Sequence, residues 1–175
     1  SDGGILHLFG HLWRDHGVRV DERWMREMVT QAKTHIAKLK WHFNRPRPYQ
    51  VGEAIGQPFE ALRSETADSP SYPSGHAIQA FLLGEASSRL DPEHAEEYFD
   101  LVDQIAWGRA QAGYHWPSDI LYGVDIADHM ADYMDVPEAW SPRVARIMEK
   151  RASHALQKHR WAKTFTVNEG DPIWY

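Results

Sequence analysis

The chain has no cysteine among its 175 residues. That excludes disulfides, thiolate metal sites and a thiol nucleophile together, and it suits a reducing compartment. No run of about 18 uncharged apolar residues occurs, so no segment reads as a membrane-spanning helix. Ser1 to Gly10 lacks the basic region that precedes the apolar part of a secretory leader. These absences describe a soluble protein and favour the cytoplasm over the periplasm or secretion. Positive charge is scarce as well: 19 Lys and Arg stand against 25 Asp and Glu, a net charge of −6. Such a balance argues against nucleic acid as a partner. Also missing is any stretch of alternating valine and isoleucine that would read as a strand.

What is present is helical periodicity. Gly3, Gly4, Gly10 and Gly17 punctuate residues 1–20, which therefore read as an irregular arm or a short turn of helix. Asp21 can cap a helix carrying Trp24, Met28, Ala32, Ile36 and Leu39 to about Phe43, where Arg45-Pro46-Arg47-Pro48 stops it. A short helix is expected near 53–66, then a turn-rich loop from Asp68 to Pro73. Ser74 or its neighbours open a third helix. Asp91-Pro92-Glu93 opens a fourth, reaching about Ala112 before Gly113. Pro117 opens a fifth through Met130 or beyond, and Pro137 or Pro142 a sixth to about Arg160. The tail from Trp161 to Tyr175 has no period and is expected to pack by its aromatics. The fold class is all-α: a single-domain helical bundle over 1–175, with no repeat and no low-complexity linker.

Three segments carry chemistry. In Lys38-Leu39-Lys40-Trp41-His42-Phe43-Asn44-Arg45-Pro46, Lys38 and Arg45 stand seven residues apart, close to two helical turns, so both can point to one side. Arg47 adds local positive charge, and arginine clamps phosphate-like oxyanions with paired hydrogen bonds. In Pro73-Ser74-Gly75-His76, a helix start offers unpaired N–H groups, Gly75 gives an anion room, Ser74 adds a hydroxyl and His76 can supply a proton. In Arg109…His115-x-x-x-Asp119, the carboxylate four residues on can accept a proton from one imidazole nitrogen. The other nitrogen is left as a nucleophile or a metal ligand.

In order and spacing these segments resemble the signature of the type 2 phosphatidic acid phosphatase superfamily, which includes bacterial non-specific acid phosphatases and vanadium-dependent haloperoxidases. The pattern is Lys, six residues, Arg-Pro; then Pro-Ser-Gly-His; then Ser-Arg, five residues, His, three residues, Asp. Here it reads as Lys38…Arg45-Pro46, Pro73-Ser74-Gly75-His76 and Gly108-Arg109…His115…Asp119, spanning 38–119. Gly108 replaces the usual serine. The resemblance implies that Lys38, Arg45 and Arg109 hold the non-bridging oxygens of a phosphate, helped by Ser74 and the Gly75 backbone. It implies His115, oriented by Asp119, as a nucleophile that becomes a phosphohistidine, with His76 as the acid for the leaving alcohol.

The leading expectation is a soluble phosphatase of acid-phosphatase type that hydrolyses phosphate monoesters and needs neither metal nor cofactor. The rival is a haloperoxidase with vanadate in the same cage, at the same residues. The third is a non-catalytic anion-binding helical protein. Partners are a small phosphorylated substrate and, given the short stretch before Lys38 and the aromatic tail, room for a homodimer. His42 and Asn44 are assigned to the rim or to packing, and Trp41, Phe43, Tyr114 and Trp116 to the walls. His7 and His11 share helical spacing, but no third ligand is evident beside them.

Overall fold

A computed structural model describes residues 2–61 and 68–133. Six α-helices make up its regular structure together with one 3-10 turn: α1 (Asp2–Asp15), α2 (Glu22–Phe43), α3 (Pro48–Ala54), α4 (Gly75–Leu90), the turn Pro92–His94, α5 (Ala95–Gln111) and α6 (Pro117–Ala131). The described residues form an all-α bundle with no strand among them. No helix among them is long and apolar enough to cross a membrane.

α4 is the axis of the bundle. Every residue from Ala77 to Ser88 is buried, and α1, α2, α5 and α6 all pack on it. A helix buried on all sides carries no single apolar stripe, so its weak amphipathicity follows from its position. Each fully buried Leu, Ile or Phe of the Ile78–Leu83 run contributes about 1.5–3 kcal/mol. The hydroxyls of Ser87 and Ser88 are spent inside the helix, on Leu83 O at 2.6 Å and Gly84 O at 2.6 Å.

The N-terminal stretch departs from expectation. Instead of an irregular arm, residues 2–15 form a 14-residue helix. Ile5, Leu6, Phe9 and Trp13 are all buried, and Trp13 Nε1 donates to Ser87 Oγ at 2.9 Å. That apolar face outweighs a glycine penalty of about 1 kcal/mol per residue.

α2 begins where its cap was expected, with Asp21 Oδ1 accepting from Arg23 N at 3.0 Å and Trp24 N at 3.1 Å. It ends at Asn44, which is left-handed (φ 44) and returns its N–H to Lys40 O at 2.8 Å. The helix expected near 53–66 lies earlier, at 48–54. Pro48 takes the first helical position, and Gln50 Oε1 accepts the Arg47 N–H at 2.7 Å. Residues 57–61 are not helical, and 62–67 fall outside the described residues. Gly113 (φ 77) turns the chain between α5 and α6 as expected. The expected sixth helix after Pro137 or Pro142 and the aromatic tail lie outside the described residues.

Candidate functional site

One end of α2, the start of α4 and the turn before α6 meet at a cavity of about 300 Å³. Lys33, Ile36, Lys40 and Trp41 of α2 line it, with Arg47, Ser69, Gly75, His76, Gln79 and His115. Gly75, His76 and His115 are therefore brought together from segments far apart in sequence.

His115 is 3% exposed, and its Nδ1 lies 3.4 Å from Asp119 Oδ2. A carboxylate can only accept, so Nδ1 carries the proton and Nε2 the lone pair. Burial, strengthened by the charges of Lys40 and Arg47, pushes the His115 pKa down to about 4 despite the Asp119 bond. The imidazole is neutral at ordinary pH. Asp119 is fully buried, which alone would raise its pKa. Bonds from His115 and Ser71, the Arg45 charge and the Trp116 N–H outweigh that and hold the carboxyl below the usual range. Ser71 Oγ donates to Asp119 Oδ2, Trp116 N donates to the same oxygen at 2.8 Å, and Arg45 Nη1 donates to Oδ1 at 2.8 Å. Asp119 occupies the first turn of α6, where a carboxylate suits the helix dipole.

The cations are arranged differently from the expectation. Lys38 is exposed on α2 and does not line the cavity, whereas Lys40 is buried and does. Successive helical residues are about 100° apart, so positions 38 and 40 point roughly 200° apart and only one can face the bundle. The buried stripe of α2 runs Met25, Met28, Val29, Ala32, Ile36, Lys40. Lys40 Nζ donates to Pro70 O at 2.6 Å and Ser71 O at 3.2 Å. Burial first, then the charge of Arg47, lowers its pKa to about 8.

Arg45, expected at the anion, instead bonds Ser118 Oγ at 2.8 Å and Asp119 Oδ1, behind His115. Arg47 takes the inner place at 1% exposure, donating to Ser69 O and Tyr114 O at 2.9 Å each. Arg109 is half-buried over Tyr114, its Cζ 4.5 Å from the ring centroid. It is absent from the cavity lining, although its charge acts on both Lys40 and Arg47. Burial is the main force lowering the guanidinium pKa values of Arg47 and Arg109. Ser74 is fully buried and caps α4, its Oγ accepting from Ala77 N at 3.3 Å, so its hydroxyl faces the helix and not the cavity. Gly75 does line the cavity, where a Cβ would stand 3.3 Å from Ile36 Cγ2 and 3.9 Å from Lys40 Cε.

Of the aromatic walls, Trp41 lines the cavity and Tyr114 lies buried beneath the guanidiniums of Arg47 and Arg109. Trp116 is stacked under Arg45 with its Nε1 on Pro46 O at 3.0 Å, and Phe43 is exposed against Tyr72. His42 and Asn44 are exposed and away from the cavity. Lys40 is missed by the sequence reading, Arg47 enters it only as added positive charge, and Ser69, Ser71 and Gln79 are not distinguished there. For the first two a signal exists, because Lys40…Arg47-Pro48 repeats the spacing of Lys38…Arg45-Pro46 two residues on. A second polar cluster lies elsewhere, with His16, His94 and Glu97 grouped between the end of α1 and the start of α5.

No curated protein sequence matches the chain significantly. The profile of the PAP2 superfamily matches residues 27–132, well over half of the chain and inclusive of every residue that lines the cavity. With its all-α bundle and that match, the chain belongs to the PAP2 superfamily.

Proposed function

We propose that the protein is a phosphatase that hydrolyses phosphate monoesters through a phosphohistidine on His115, with no need of a metal ion. The observation that carries this reading is a neutral, buried imidazole with its Nδ1–H directed at Asp119, sharing one cavity with His76, Lys40 and Arg47. Lys40 and Arg47 hold the non-bridging phosphate oxygens and Arg109 adds positive potential. The cations thus stand where charge spreads in the transferring phosphoryl group. His115 Nε2 attacks phosphorus, the N–P bond forms and the ester P–O bond breaks. His76 gives its proton to the leaving alcohol oxygen. Water then attacks phosphorus with His76 taking its proton, phosphate leaves and His115 is restored. The positive charge that grows on His115 during attack is met by Asp119.

The test is a paired assay. Phosphate release from an aryl phosphate without added divalent metal, inhibited competitively by vanadate, is the expected result. Halide oxidation by the vanadate-loaded protein above the rate of free vanadate, without phosphatase activity, assigns the cage to peroxide chemistry instead. Neither activity, with phosphate still bound, assigns it to anion binding alone.

The pH profile follows from the two shifted groups. His115 must be neutral to attack, so kcat/KM falls as pH drops through about 4. Lys40 must be charged to hold the anion, so kcat/KM falls again as pH rises through about 8. With an activated aryl phosphate, whose phenolate needs no proton from His76, the profile is a bell whose alkaline limb vanishes in Lys40→Arg. Stability has its own sign: the folded protein holds the His115 proton less tightly than the unfolded chain. The stabilisation is full above about 6.5 and is lost as pH falls toward 4. A profile flat from pH 7 to 10 removes Lys40 from this role.

A further inference from the structure

His16 sits in the turn that ends α1, and its backbone is fixed there. His16 N bonds Leu12 O at 3.0 Å, and Val18 N bonds Trp13 O at 2.8 Å across the left-handed Gly17. His94 closes the 3-10 turn, and Glu97 stands in the first turn of α5. One ligand atom from each of the three residues lies within 4.8 Å of the others. We propose that His16, His94 and Glu97 bind a divalent first-row transition metal ion, zinc being the best match, and so clamp α1 to the start of α5.

Three observations support the site. Asp91 Oδ2 accepts from His94 Nδ1 at 2.8 Å and from the Tyr98 hydroxyl at 2.9 Å. That fixes the His94 tautomer with its lone pair on Nε2, as carboxylate-bound imidazoles are fixed at metal centres. Tyr98 is fully buried, and burial together with the Asp91 bond pushes its pKa upward, so it stays a donor. Secondly, His16 Nε2 is buried and lies 3.1 Å from Glu97 Oε2 without making a hydrogen bond to it. An ion between them would engage both. Thirdly, the donor set of two imidazoles and one carboxylate suits zinc, which leaves a fourth position for water at the exposed Glu97 edge.

Tetrahedral donors about 2.0–2.1 Å from zinc stand roughly 3.3 Å apart. Contraction by at most about 1.5 Å is therefore enough. The imidazoles are stacked with centroids 3.7 Å apart and planes 9° apart. Lone pairs lying in two near-parallel ring planes cannot both meet one ion, so one ring must turn about χ2. Asp91 holds His94, so the ring that turns is His16. The sequence could not show this site, because His16 and His94 lie 78 positions apart.

The test uses the full chain after chelation and dialysis. Calorimetry with Zn²⁺ is expected to give one site per chain, and Co²⁺ to give the visible absorption of a tetrahedral ion. At 100 times its Kd the metal multiplies the folded-to-unfolded ratio about 100-fold, so the melting temperature rises with metal. His94→Gln and Glu97→Gln each lower affinity about 10–100-fold and remove that rise, and Asp91→Asn lowers affinity about 10-fold. Should His94→Gln melt early without metal, the half-exposed Glu97→Gln variant decides. The exposed pair His7 and His11, with Nε2 atoms 3.0 Å apart, provides the competing site. Binding that survives both glutamine variants, or that disappears in His7→Ala, overturns the proposal, as does the absence of binding at 100 µM Zn²⁺ (about 5.5 kcal/mol).

Discussion

His115→Ala is expected to abolish turnover of every phosphate ester, by at least about 10⁴-fold in kcat, while the protein still binds inorganic phosphate or vanadate. The fold should survive, because Asp119 keeps its bonds from Ser71, Trp116 and Arg45 when the imidazole is gone. No uncompensated buried charge is created. His76→Ala behaves differently. It removes an acid, so the loss is about 10²–10⁴-fold for an alkyl phosphate and much smaller for an activated aryl phosphate, whose phenolate leaves without a proton. Quenching wild-type turnover of labelled substrate should trap acid-labile, base-stable label on His115. Label of equal intensity in His115→Ala, or equal slowing of alkyl and activated aryl esters in His76→Ala, rejects these roles.

Much of the site and fold was legible because it rests on local chemistry. The Asp21 cap, the Pro117 start of α6 and the Gly113 turn depend on residues within a few positions of one another. So does the His115–Asp119 pair, four residues apart across the start of α6. What sequence missed depends on packing. Four glycines made residues 1–20 look irregular, yet Ile5, Leu6, Phe9 and Trp13 form one buried face against α4 and α5. Pro48 read as a stop and is a helix start, because a proline costs nothing where no N–H partner exists. Arg45 read as a clamp on the anion. The Asp119 carboxylate it meets lies 74 positions away, a distance no local pattern spans.

The two-residue ambiguity at the end of α2 yields the sharpest remaining expectation. Lys38…Arg45-Pro46 and Lys40…Arg47-Pro48 have identical spacing, so spacing alone cannot choose between them. The stripe can. Stepping by four from Ala32 passes Ile36 and reaches Lys40, which places a lysine on the face that is buried. A lysine whose ammonium is carried by two carbonyls and pushed toward neutrality by burial first and then by Arg47 is costly unless an anion uses it. Lys40→Met and Arg47→Lys are therefore each expected to lower kcat/KM by about 10²–10³-fold and to weaken vanadate inhibition. The arginine change keeps the charge but loses the fork that reaches Ser69 O and Tyr114 O. Lys38→Met should leave both quantities within about twofold. Arg45→Met should lower kcat about tenfold while inorganic phosphate binds as before, because it loosens Asp119 and leaves the cage intact. Circular dichroism and melting of each variant separate lost binding from lost fold. If Lys38→Met is crippling and Lys40→Met silent, the anion sits on the outer face of α2 and the cavity is not its site.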